Sequence, residues 1–138
     1  MVGSRMMRSP LAIALGMTES TWVLEWGTVR HPYLFRLISP EGSAWEATGQ
    51  TIAEGVKALR AQMEPLGYRF CCNGARANAH PGHMSVQMGE GDVVHLLKLG
   101  KRPKRGPRVA LLDYAPRRKV TTLSVQNRFF SEWFESLR

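Results

Sequence analysis

The feature that most limits the fold is a change of hydrophobic period near residue 50. Before it, apolar side chains alternate: Trp22, Leu24 and Trp26 share one parity, and so do Tyr33, Phe35 and Leu37. Alternation puts successive side chains on opposite faces of an extended chain, so each run reads as a strand with one buried face. After it, Ile52, Val56, Leu59 and Met63 recur at spacings of 4, 3 and 4, which draws one stripe along a helix. Thr51 followed by Glu54 is a capping-box pattern, and Pro65 and Gly67 end the helix. Gly55 inside it weakens it by about 1 kcal/mol relative to Ala.

Turn chemistry joins these runs. The stretch Gly27 to Pro32 is rich in turn residues, and Ser39-Pro-Glu-Gly42 places Pro at the second position of a tight turn. A third strand follows over Ser43 to Thr48, completing a three-strand antiparallel meander. Downstream, Tyr68 to Cys72 reads as a strand, and residues 73–91 form a long Gly- and Pro-containing loop of a length that is often functional. Asp92 to Leu99 alternates, with Val93, His95, Leu97 and Leu99 to one side. A basic loop over 100–108 leads into a strand over 108–114. Leu123 to Leu137 is helical, with Phe129, Phe130, Trp133, Phe134 and Leu137 as its stripe and Thr122 or Ser124 as its cap.

The element order βββαβββα predicts an α+β fold, a mostly antiparallel sheet with two main helices packed on one face. At 138 residues the chain suits one domain, expected over residues 20–138. Residues 1–19 show no sustained period and are expected to be an unstructured leader. Arg5 and Arg8 precede an apolar run, Leu11 to Leu15, that is too short for a membrane span or a signal peptide. The two cysteines, Cys71 and Cys72, are adjacent, so no disulfide framework points to secretion. A cytoplasmic protein without a membrane partner is expected.

Charge is unevenly spread. The formal net charge is +8, yet residues 1–70 carry only +1 and residues 100–119 alone carry +7. Lys101, Arg102, Lys104, Arg105 and Arg108 precede the apolar run Val109 to Tyr114, and Arg117, Arg118 and Lys119 follow it. Such a concentration either keeps a loop solvated or steers an anionic partner. Arg76 and His83 in the long loop join these as candidate contacts, with Arg102, Arg105 and Arg117 as the leading hot-spot residues.

Each candidate chemistry has a plainer alternative. Cys71, Cys72, His80 and His83 are zinc-compatible ligands, but adjacent cysteines in a strand point to opposite faces, so no metal is expected. A thiolate activated by His80, His83 or His95 needs an electropositive, partly exposed setting, whereas a small buried Cys is commoner. His80, His83 and His95 beside the basic loop supply the groups for acid–base cleavage of RNA, although His95 sits in an apolar alternation. Nucleic-acid binding would use the same cations, without a helix-turn-helix, zinc-finger or ribonucleoprotein signature. Phosphate-binding glycine loops and nucleophile elbows are absent. No catalytic residue and no cofactor is expected.

Three stretches carry a resemblance: Cys72-Asn-Gly-Ala-Arg76, His83-Met-Ser-Val-Gln-Met-Gly-Glu-Gly91, and Gln126-Asn-Arg-Phe-Phe-Ser-Glu-Trp133. Together, over roughly residues 45–137, they resemble small bacterial α/β proteins similar to the immunity proteins encoded beside interbacterial toxins. The resemblance implies a non-catalytic protein that caps or distorts a cognate toxin domain through a complementary surface. Immunity proteins against basic nuclease toxins are often acidic. This chain is basic, so the resemblance implies an acidic protein partner that is not a nuclease.

Overall fold

The computed structural model describes residues 6–27, 32–81, 93–102 and 108–138. The meander forms as the alternation dictates: β2 (Thr18–Gly27), β3 (Tyr33–Ile38) and β4 (Ala44–Gly49) pair antiparallel in chain order. Trp22, Leu24 and Trp26 turn inward with Phe35 and Leu37, and all are buried. α1 (Ile52–Met63) begins at Thr51, whose Oγ1 accepts the Glu54 N–H, while Glu54 Oε1 reaches back to the Gln50 N–H.

The expected leader is corrected. β1 (Met6–Leu15) pairs with β2 along its whole length, and β5 (Tyr68–Phe70) pairs with its last three residues. The sheet order is therefore β4-β3-β2-β1-β5, with β1 inside it. Leu11 and Ile13 enter the core, each 2% exposed. The hairpin turns at Gly16, whose φ of 61° is followed by Met17 at negative φ, the pattern of a type II′ turn. Pro10 is compatible with this strand for a geometric reason. Ala12 accepts from the Cys71 N–H, so the even-numbered residues of β1 turn their backbone polar groups toward the β5 side. Among the described residues no strand covers that side beyond Ala12, and the N–H that Pro10 lacks leaves no ladder bond unmade.

α1 crosses the inner face of this sheet from the β4 edge to the β5 edge. Two glycines permit the approach. A Cβ on Gly55 would lie 2.2 Å from the Phe35 ring, and one on Gly49 would lie 2.5 Å from the Gly55 backbone nitrogen.

A second antiparallel sheet, β6 (Ala79–Pro81), β7 (Val93–Leu96) and β8 (Arg108–Ala110), is the other main departure from expectation. The order among the described residues is ββββαββββα, in two sheets. β8 ends at Ala110, not residue 114, because its continuation bonds elsewhere. Asn73 Nδ2 donates to Ala110 O, the Gly74 N–H to Leu111 O and the Asn73 N–H to Asp113 O. In β7 the inward residue is Val94, followed by Leu97 past the strand end, whereas Val93 and His95 are half-buried and Leu99 is exposed. Apolar residues occupy both parities there, so alternation alone misassigns the face.

α2 (Leu123–Ser136) is capped by Thr122, whose hydroxyl accepts the Val125 N–H. It packs beside α1 and the second sheet, so the two helices do not share one sheet face. Of its expected stripe only Trp133 is buried, and Phe134 is 54% exposed. No helix among the described residues is long and apolar enough to cross a membrane.

A buried ion pair joins the two halves. Arg60 and Glu64, one turn apart on and after α1, bond at 2.5 Å with both side chains out of solvent. Arg60 also donates to Gln126 Oε1 at 2.6 Å and to Thr121 O at 2.9 Å, and Glu64 Oε1 accepts the Leu123 N–H at 2.8 Å. The carboxylate thus sits at the N-terminus of α2, where a negative charge complements the helix dipole. Gln126 Nε2 completes the set by donating to Gly74 O and Arg76 O.

Two stability outcomes follow. Gly55→Ala gains about 1 kcal/mol of helix propensity but overpacks against Phe35, and a net loss of about 1–3 kcal/mol is expected in urea unfolding; pairing it with Phe35→Leu recovers part of that loss. Arg60→Met strands the Glu64 carboxylate and lowers stability by about 3–5 kcal/mol in the same assay. A loss below 1 kcal/mol in Arg60→Met would contradict this role for the pair.

Candidate partner-binding surface

Arg8, Arg36 and Arg60 in the first half each pair with a glutamate. On the outer face of the large sheet Arg8 pairs with Glu25 at 2.7 Å and Arg36 with Glu46 at 3.0 Å. Glu25 and Arg36 are themselves cross-strand partners, so the face is a ladder of alternating sign. Glu54 caps α1, Glu64 is buried with Arg60, and Glu19 accepts from the Tyr114 hydroxyl.

In the second half the ion pair among the described residues is Arg138 with Glu135 at 3.6 Å, at the end of α2. Lys98, Lys101, Arg102, Arg108, Arg117, Arg118 and Lys119 are all exposed, and none makes an ion pair among the described residues. The structure divides the expected basic ribbon between two supports. Lys101 and Arg102 leave a turn at Gly100 (φ 77°) that is tied to the end of α2: Trp133 Nε1 donates to Lys101 O and the Gly100 N–H donates to Ser136 Oγ. Arg108 opens β8 opposite His95. His83, Lys104 and Arg105 lie outside the described residues.

Arg117, Arg118 and Lys119 form a one-turn 3-10 segment after Pro116. It is clamped on both sides. Ala115, 1% exposed, bonds through its N–H to Cys71 O, and Val120, 6% exposed, precedes Thr121, whose N–H bonds to Ala75 O. The segment therefore presents three cations on a fixed backbone, and proline at its start narrows the chain further. Arg76 lies in extended backbone opposite Val120 and is half-buried, so it sits beneath this turn and is less available than expected.

Tyr114, which the sequence places inside a strand, is a further candidate contact residue. It is 58% exposed, next to the cationic turn, and its hydroxyl reaches Glu19 beside the β1–β2 turn at 3.2 Å. Only the diversion of residues 111–113 onto Asn73 and Gly74 reveals it, and nothing local in the sequence signals that. The tryptophans behave as expected: Trp22, Trp26 and Trp133 are buried and Trp45 is partly so.

The reactive-group candidates separate. Cys71 and Cys72 are buried, and burial pushes each thiol up to about 11, which keeps both protonated near neutral pH. Among the described residues no three His, Cys, Asp or Glu side chains gather as a metal site. The Asn-Gly-Ala segment after Cys72 is a structural junction whose polar groups bond inward to residues 110–113 and Gln126. His80 and His95 do meet, as cross-strand partners on β6 and β7. The His80 ring stacks on Phe130 with centroids 4.4 Å apart, and among the described residues His95 Nδ1 is buried without a hydrogen-bond partner. Burial lowers both imidazoles from their ordinary value, helped for His80 by His95 and Lys57 and for His95 by Arg108.

No protein-family model matches the chain, and no curated protein matches it significantly.

The depressed imidazoles set a pH dependence. Their folded values lie below the ordinary 6.5, so the unfolded chain binds more protons as pH falls. Stability is therefore complete above 6.5 and is lost as pH drops through that value toward the folded ones. Thermal melts from pH 7.5 to 5 should show a falling midpoint, and His80→Gln with His95→Gln should flatten the fall. An unchanged slope in the double variant would refute the assignment.

Proposed function

We propose that this chain is a non-catalytic binding protein that docks an acidic face of another protein through its basic surface, as an immunity or inhibitor protein docks its toxin. The observation that carries the reading is the contrast in compensation. Arg8, Arg36 and Arg60 of the first half each have a glutamate partner, while Arg117, Arg118 and Lys119 of the turn, and Lys101, Arg102 and Arg108, have none among the described residues. Unpaired charge on a flexible tail would raise solubility and little else. Here three cations stand on a 3-10 turn pinned by buried neighbours, so little side-chain-independent ordering remains to be lost on association. Tyr114 beside Arg117 supplies the aromatic and guanidinium pair that dominates the centres of protein interfaces.

The same residues do not favour sequence-reading of a nucleic acid. Beside the turn at 117–119 stands one exposed aromatic among the described residues, Tyr114, and Trp22, Trp26 and Trp133 are committed to the interior, so no row of stacking aromatics accompanies that turn.

The test uses the protein product of the neighbouring gene as the partner. Titration calorimetry should give a 1:1 complex, and Arg117→Glu, Arg118→Glu and Lys119→Glu together should weaken it by about a hundredfold without moving the melting temperature. Random single-stranded RNA at 50 mM salt is the comparison polyanion. Affinity for the RNA that falls steeply with salt, together with no complex with the neighbouring product, would overturn the proposal in favour of nucleic-acid binding. An unaffected complex in the triple variant would overturn the assignment of the turn.

A further inference from the structure

A cleft of about 180 Å³ lies where α1, α2 and the second sheet meet. Its floor is apolar: Val56 from α1, Val94 from β7 and Leu111 from the segment after β8. Its rim carries three polar groups, Lys57, His80 and Asn127. Among the described residues none of the three makes a side-chain hydrogen bond or ion pair. His80 is committed only through its ring face, to Phe130. Arg60 and Gln126 behind them are in a different state, since each is bonded to its neighbours and held in the junction network. The polar groups of this region therefore sort into a saturated inner set and an open outer set. That sorting is what a ligand site requires, because the inner set keeps its shape while the outer set can bond something new.

We propose that this cleft binds a small carboxylate carrying a single apolar ring, with the ring on the Val56–Val94–Leu111 floor and the carboxylate at Lys57 and Asn127. Size, polarity and charge each contribute. An apolar cavity of about 150 Å³ holds a benzene ring, so this volume takes one ring and little more. No carboxylate lines the cleft among the described residues, so the field at its mouth is positive. The Asn127 amide and the His80 ring can each donate to a second carboxylate oxygen. Burial, His95 and Lys57 keep His80 largely neutral near neutral pH, which leaves Lys57 as the charge that selects the ligand. This site is separate from the basic turn and stands or falls independently of the proposed protein partner.

Benzoate is the probe, titrated into the full chain with methyl groups labelled for NMR. Saturable shifts are expected at the Val56, Val94 and Leu111 methyls. Benzylamine, the same ring with the opposite charge, should shift them far less. Lys57→Glu, at an exposed position, should weaken benzoate by about tenfold or more. Ala53→Leu, which projects into the cleft from α1, should block benzoate while the melting temperature holds. Equal shifts from benzoate and benzylamine, an unchanged affinity in Lys57→Glu, or no saturation at tens of millimolar would each overturn the proposal.

Discussion

The contact on which the architecture depends is the buried pair Arg60–Glu64. Charges removed from water are costly unless the remaining donors and acceptors are filled. Here they are filled by groups from distant parts of the chain. Thr121 O, Gln126 Oε1 and the Leu123 N–H all belong to the entry of α2, and Gln126 in turn holds Gly74 O and Arg76 O. The pair therefore acts as a junction. It sets how α1, seated in the large sheet, meets the segment 73–76 and the start of α2. Apolar packing alone is non-directional and would permit sliding at such a seam, whereas five directed bonds permit one arrangement.

This junction also explains the placement of charge. Glutamates are used where structure needs them: as a cap on α1, as a rung in the outer ladder, as the counter-charge to Arg60 and as an acceptor for Tyr114. The second half is built mainly from neutral hydrogen bonds, with Asn73, Gln126 and backbone groups in the roles that carboxylates play earlier. Its arginines and lysines are then not consumed by the fold. An excess of exposed, unpaired cations raises the local potential and steers anionic partners.

Much of the large sheet was legible because its signals are local. Alternation at Trp22, Leu24 and Trp26, the capping box at Thr51 and Glu54, and the stop at Pro65 and Gly67 each act within a few residues. β1 escaped for two reasons. Pro10 reads as a strand breaker unless its open edge is known, and Ala12 and Ala14 dilute the alternation of Leu11 and Ile13. The Gly16–Met17 pair, followed by the alternating run from Thr18, was the available hairpin signal. Two strands of the second sheet were legible, over 92–99 and 108–114, but β6, the end of β8 at Ala110 and the separation into a second sheet were not, because Asn73 and Gly74 bond to residues 110–113 across more than thirty residues of chain. Of the expected contact residues, Arg117, Arg118 and Lys119 were readable as charge, but their clamping by Ala115 and Val120 was not.

The junction and the basic turn are linked through one residue. Thr121 donates its N–H to Ala75 O and accepts at its carbonyl from Arg60. One peptide bond further back stands Val120, and before it the cationic turn. The orientation of Arg117, Arg118 and Lys119 is thus inherited from the core and not from the turn itself, which has only its two 3-10 bonds. A turn held this way fixes the backbone from which the three side chains project, so the backbone share of their ordering entropy is already lost in folding. A buried ion pair that adds little net stability can be retained for such a reason: its directed bonds transmit position from the interior to the surface, which an apolar replacement of equal volume would not do.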